Sequence, residues 1–188
     1  SIVLRFDANR DTFRGRLKTL SKNRDQAFTM LRAAIVQPRF DEKTIYRIRS
    51  QILAGLRRSS QVPETVASLT LVKDLFPNHP YGRSVKGTTK SIKAITRTDL
   101  KVFKHERLAR DNLIIGVVGD IKPDELGRRL DQIFLDLPAT SKATNIKEAQ
   151  PQISGRTKVV QMAVPQSAIV FAQKGLKRVD PDFYNAYV

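Results

Sequence analysis

The sequence contains no cysteine and no tryptophan, and only two histidines among its 188 residues. Without cysteine there are no disulfides, no thiolate nucleophile and no Cys-ligated zinc. With no tryptophan and no basic stripe interleaved with aromatics, base-stacking platforms for nucleic acid are poorly supplied. No apolar run approaches the ~20 residues of a membrane helix, and no charged segment followed by an apolar one opens the chain as a secretory signal would. Acids are scarce as well: 18 Asp and Glu stand against 34 Lys and Arg, a net charge of +16. That field favours acidic partners, nucleic acid or anionic membrane surfaces. Basic residues scattered along a whole chain also make an ordinary solvated surface.

What is present suffices for a folded body. The hydrophobic content is 40%, enough for a core in one domain or one and a half. Ile2–Asp7 alternates, with Ile2, Leu4 and Phe6 on one side and Val3, Arg5 and Asp7 on the other. Thr12–Leu20 alternates again, with Phe13, Gly15, Leu17 and Thr19 opposite Arg14, Arg16 and Lys18; Asn9-Arg10-Asp11 makes the turn of a hairpin. Ser21 can cap a helix carrying Phe28, Leu31, Ala34 and Ile35 and ending before Pro38. Asp41 opens a second helix with Ile45, Ile48, Ile52, Leu53 and Leu56 at helical spacing. Pro63-Glu64 starts a third, with proline at its first position and an acid in its first turn.

Thr96 and Asp99 form a capping-box variant for a helix over Arg97–Leu108. Asn112–Val118 is nearly continuous in apolar residues and predicts a strand buried on both faces. Pro123 opens a helix with Leu126, Leu130, Ile133, Phe134 and Leu137. Residues 139–152 read as a linker, Thr157–Val164 and Ser167–Gln173 as two further strands, and Asp180-Pro181 as the start of a short last helix. Pattern alone therefore predicts an α/β chain with a mixed sheet flanked by helices.

One succession is more specific. His79-Pro80-Tyr81-Gly82-Arg83 is followed by Gly87-Thr88, Ser91-Ile92, Ala94-Ile95-Thr96 and Asp99-Leu100, then by the apolar run ending in Gly119-Asp120. With Pro38-Arg39-Phe40 and Phe134…Leu137-Pro138, this order resembles the pitrilysin/insulinase family of zinc peptidases, which includes the mitochondrial processing peptidases. The resemblance implies an α+β sandwich built as two similar units. Residues 1–138 would be the later part of the first and 153–188 the opening of the second. Ser1, opening directly into a strand, reads as the start of a processed or truncated product, with the family's metal histidines lying upstream of it.

The resemblance also implies chemistry that these residues do not supply. The family needs His-x-x-Glu-His on one helix, two His for zinc and a Glu to polarise water, and a further Glu on a later helix. His79 and His105 are too far apart to share a helical face. His105-Glu106 would need a histidine at Ala109. Position 55 best matches the later Glu, and it holds Gly55. No carboxylate occurs between Glu42 and Glu64; Arg47, Arg49, Arg57 and Arg58 stand there instead, and cations repel zinc. No phosphate-binding glycine loop and no nucleophile elbow is present.

The leading expectation is a non-catalytic peptidase-like subunit or fragment without its own zinc or other cofactor, pairing with a catalytic homologue as a heterodimer. Its strand, through Val3, Leu4, Arg5 and Phe6, would offer backbone to an extended peptide, with Arg5 able to read acidic ones. An unfilled sheet edge is the plainer account of the same strand. Arg83 is a candidate anion contact; the alternative is a packed loop in which Gly82 takes a backbone angle closed to other residues and Tyr81 is buried. An active zinc peptidase with its metal helix upstream is the second reading, and a basic nucleic-acid-binding domain the third and weakest. Many bacterial members of the family are exported to the cell envelope; the residues leave the choice between periplasm and cytoplasm open.

Overall fold

Asn9 organises the first element. Its Oδ1 accepts from the backbone N–H of Asp11 (2.9 Å) and of Thr12 (2.7 Å) and from the Thr12 hydroxyl (3.1 Å), while its own N–H donates to the Thr12 carbonyl at 3.0 Å. A short polar side chain that bonds backbone two residues on is what turns favour. The turn joins β1 (Val3–Ala8) to β2 (Phe13–Lys18) in an antiparallel pair, with Leu4 opposite Leu17, Arg5 opposite Arg16 and Phe6 opposite Gly15. This geometry comes from a computed structural model, which describes residues 1–187.

After the hairpin come α1 (Arg24–Val36), α2 (Glu42–Ser59), α3 (Pro63–Leu75), α4 (Thr89–Ala94), α5 (Arg97–Arg107), α6 (Pro123–Phe134) and α7 (Phe183–Tyr187). Short 3-10 turns lie at Ser21–Asn23, Pro80–Gly82 and Arg110–Asn112. The chain divides into two compact units, Ser1–Ser50 with Lys90–Asn145 and Gln51–Thr89 with Ile146–Val188.

In the first unit, α1 and α6 carry the core. Val36, Ile133, Phe134 and Leu137 are buried together, with Phe28, Leu31, Ile35, Leu108 and Leu130 packed against them. Ion pairs border this seam. Arg24 meets Glu125 at 2.9 Å and Arg129 meets Asp25 at 2.7 Å. Further along, Arg32 pairs with Asp136 and its Nε donates to the Gln132 carbonyl at 3.0 Å. The N-terminal end of α1 thus faces the N-terminal half of α6, and its later turns face the end of α6, so the two helices run parallel. Asp111 and Arg110 fasten the chain after α6: their backbone N–H groups donate to the carbonyls of Ala139 and Pro138, and the Asp111 carboxylate accepts from Ser141 N–H at 3.0 Å.

The capping box of α5 forms as its residues predict. Thr96 N–H and hydroxyl donate to Asp99 Oδ2 at 2.7 and 2.8 Å, and Asp99 N–H returns a bond to the Thr96 hydroxyl oxygen. Those bonds, the backbone one first, hold the Asp99 carboxyl below its ordinary value against a small opposing effect of desolvation.

The second unit centres on α3 and the loop that follows it. Here the Gln152 N–H donates to the Leu75 carbonyl at 2.8 Å, Lys158 pairs with Asp74 at 2.9 Å, and Lys177 pairs with Glu148.

The α/β class stands, but three expected strands do not. Asn112 closes a 3-10 turn rather than opening a strand, with its side chain bonded to the Arg107 carbonyl and to Ala109 N–H. Residues 113–118, 157–164 and 167–173 form no ladder with any described residue, and Ile114 and Val118 are fully exposed. Apolarity says that a segment needs cover; a strand also needs a neighbour to pair with, and that neighbour is not encoded in the segment. Ser21 also departs from expectation. It sits in the 3-10 turn, and its hydroxyl reaches Asp120 instead of capping α1. α4 was not predicted; with only six residues it lacks a long periodic stripe.

Ile133 is 2% exposed at the centre of the seam. Ile133→Ala should cost about 2–5 kcal/mol by urea unfolding, whereas replacement of exposed Ile114 should cost under about 0.5 kcal/mol. For Asp99, a lowered folded pKa means that its contribution to stability is complete above the ordinary carboxylate value and is lost as pH falls through the folded one. Amide protection factors in the first turn of α5, taken relative to the intrinsic exchange rate at each pH, should therefore fall on acidification, and Asp99→Asn should remove that acid-dependent part.

Candidate functional site

The hairpin is two-faced, and its register decides which side chains meet. Side chains directly opposite one another share a face, so Leu4, Leu17, Phe6, Gly15, Ala8 and Phe13 lie on one side. Phe6 and Phe13 stack there with ring centroids 5.6 Å apart and planes within 2°. Gly15 makes room for this: a Cβ at that position would stand 2.9 Å from Phe6 Cε1.

The other side holds Val3 opposite Lys18, Arg5 opposite Arg16, and Asp7 opposite Arg14. Four cations thus share a face with one carboxylate. All five are exposed, and none of them forms an ion pair with a described residue. Arg5 and Arg16 lie directly across from each other, an arrangement that destabilises a strand pair unless an anion intervenes. The sequence already separated Arg5 from Leu4 and Phe6. The turn register, which puts Arg14, Arg16 and Lys18 on Arg5's own face, is what the unassembled strands did not reveal.

The outward backbone groups of β1 make no bond within the described residues, so Val3, Leu4, Arg5 and Phe6 form one open sheet edge. Arg83 and Gly55 are not part of this edge; both belong to the other compact unit.

The loop holding Arg83 is built around His79. His79 Nδ1 accepts from Tyr81 N–H at 3.2 Å, and Nε2 lies 2.9 Å from the Lys147 carbonyl, to which it must donate. Both ring nitrogens are therefore engaged, and the ring is set edge-on to Tyr81 at 4.8 Å. This leaves no lone pair for a metal. Gly82 is required here, but not for a special backbone angle: a Cβ would fall 2.1 Å from the Phe76 carbonyl oxygen. The positive φ in this loop belongs to Gly87, at 72°. Tyr81 is half-buried, and Arg83 is exposed with its guanidinium outside every ion pair among the described residues.

Zinc, the metal the motif order implies, does not fit the residues present. No group of three or more His, Cys, Asp or Glu among the described residues is arranged to hold a metal. Gly55, where an acidic ligand is expected, sits in the interior of α2 with open space around an added Cβ and with Arg57 and Arg58 following in the last turn. His105 is exposed on α5, and the Ala109 that would have to be its partner is buried.

The chain is similar to several known proteins. Residues 94–188 match the family described as the peptidase M16 inactive domain. The chain is 29% identical over 138 residues to the non-peptidase homolog YmxG of Helicobacter pylori, covering 73% of this chain and 32% of that protein. It is 24% identical over 168 residues to the probable mitochondrial-processing peptidase subunit beta of Arabidopsis thaliana, covering 88% of this chain and 32% of that protein. Among solved structures, the peptidase M16 inactive domain from Pseudomonas fluorescens superposes with a TM-score of 0.74 at 29% identity, over 79% of this chain and 36% of that one. The chain thus spans about a third of the length of the relatives it matches.

The two glycines make opposite predictions. Gly55→Ala should stabilise the protein by about 0.5–1 kcal/mol, because a helix-interior glycine with free space only costs backbone entropy. Gly82→Ala should destabilise it by at least about 1–3 kcal/mol, because the methyl has nowhere to go. Thermal unfolding of both variants checks the signs.

Proposed function

The chain belongs to the peptidase M16 inactive-domain family, and from that premise we propose that it serves as a non-catalytic peptidase-like subunit. It binds a catalytic homologue and presents β1 to an extended peptide. The observation that carries this reading is α2: a peptidase-like helix with a glycine where an acidic metal ligand is expected and with arginine where a zinc shell needs oxygen. Residues that keep a peptidase-like body, with no metal-holding group among those described, can still bind, orient and enclose.

Two further observations support binding as the retained role. β1 is an open edge with alternating side chains, the form that strand addition uses, where backbone bonds supply affinity and alternate side chains supply selectivity. Large apolar side chains also remain uncovered, Ile114 and Val118 in the first unit and Ile169 and Phe171 in the second. Apolar surface of this kind marks protein interaction sites. We read residues 153–188 as the opening of a second homologous unit, and the uncovered Ile169 and Phe171 as part of the surface such a unit presents to its neighbours.

The test is reconstitution with a catalytic M16 peptidase that carries His-x-x-Glu-His. The two chains should co-elute in size exclusion, and peptide cleavage should rise above that of the catalytic chain alone. Two independent peaks with no gain in cleavage would refute the proposal. The purified chain alone should carry no stoichiometric zinc by metal analysis, and chelation should not change its unfolding temperature.

A further inference from the structure

We infer that the peptide taken by β1 is acidic, with carboxylates at alternate positions and apolar residues between them. This rests on the reading of β1 as the peptide edge and adds a substrate class to it. The basis is the charge of one hairpin face. Arg5, Arg14, Arg16 and Lys18 project from it against the single carboxylate of Asp7, and none of these groups is paired among the described residues.

An added strand lies ~4.8 Å from β1, and its residue opposite Arg5 falls on Arg5's face with Cβ atoms about 5 Å apart. A carboxylate there meets the Arg5 guanidinium directly, on the side of β1 away from Arg16, and neutralises it. It thereby relieves the like-charge contact built into the hairpin. A second carboxylate opposite Val3 comes within reach of the long Lys18 side chain. Asp7 sets the register: the incoming residue that faces it must be neutral or basic. The intervening side chains turn to the opposite face, beside Leu4 and the Phe6 ring stacked on Phe13. A basic peptide meets the reverse, with cations facing a net cationic face.

Fluorescence anisotropy with synthetic peptides on the whole chain tests this. One peptide alternates apolar residues with glutamates, a second carries lysines at the glutamate positions, and a third is the acidic peptide N-methylated at alternate residues. The acidic peptide should bind about tenfold or more tighter than the basic one, as two or three cross-strand charge pairs would give. N-methylation should abolish binding by removing the backbone donors. Arg5→Glu should invert the preference toward the lysine peptide, and circular dichroism should confirm that this variant keeps its fold. The peptide charge swap on the unmodified chain gives the answer even if the variant does not fold.

Equal binding of acidic and basic peptides, both lost on N-methylation, would overturn the acidic preference and leave strand addition intact. Binding of neither peptide would remove the peptide edge and the preference with it, without touching the pairing tested by co-elution. A larger loss from reversing Arg14 and Lys18 than from reversing Arg5 would put the peptide on β2 and overturn the assignment to β1. Acidic binding that survives N-methylation would mark a general polyanion surface and overturn it as well.

Discussion

The parallel seam between α1 and α6 is the contact on which the first unit depends. It joins segments about a hundred residues apart in the chain. It buries Val36, Ile133, Phe134 and Leu137, and it is bordered by Arg24–Glu125, Arg129–Asp25 and Arg32–Asp136. The apolar part supplies the driving force, at about 25 cal/mol for each Å2 removed from water. The ion pairs, half exposed, add little free energy each, but they fix which turn of α1 meets which turn of α6. The hairpin enters α1 through a single 3-10 turn at Ser21–Asn23.

The apolar pattern of α2 holds the helix independently of the residues at its polar positions. α2 keeps its apolar stripe, so it still folds as an amphipathic helix. Beyond Glu42 its charged positions are all basic: Lys43, Arg47, Arg49, Arg57 and Arg58. A fold is held by the apolar pattern and a reaction by a few polar atoms, so the chemistry can go while the body stays. His79 shows the same separation. A residue type that ligates metals elsewhere is used here with both nitrogens committed to backbone, as a brace between Tyr81 and Lys147.

Features with local causes were legible in the residues. The Asn9 turn, proline at the start of α3 and α6, the Thr96–Asp99 box and the helical stripe of α2 all arise from interactions within a few positions. Residues 113–118 and the two segments after 157 were not legible, since strand character depends on a pairing partner elsewhere in the chain. The role of Gly82 was half legible. Its importance was apparent from the loop, but the reason is the carbonyl of Phe76 pressed against it, which is a tertiary fact. The cationic face around Arg5 was invisible until the register brought the two strands together.

That face ties two properties of the protein to the same counterions. Arg5 opposite Arg16 is a repulsion stored in the empty hairpin, and mobile anions screen it. The Debye length shrinks from ~10 Å at 0.1 M salt to ~3 Å at 1 M. Raising ionic strength therefore tightens the unliganded hairpin, while it weakens the long-range pull on an acidic strand. Stability and capture respond to salt in opposite senses, so this edge is most receptive in the dilute conditions where it is least at ease alone.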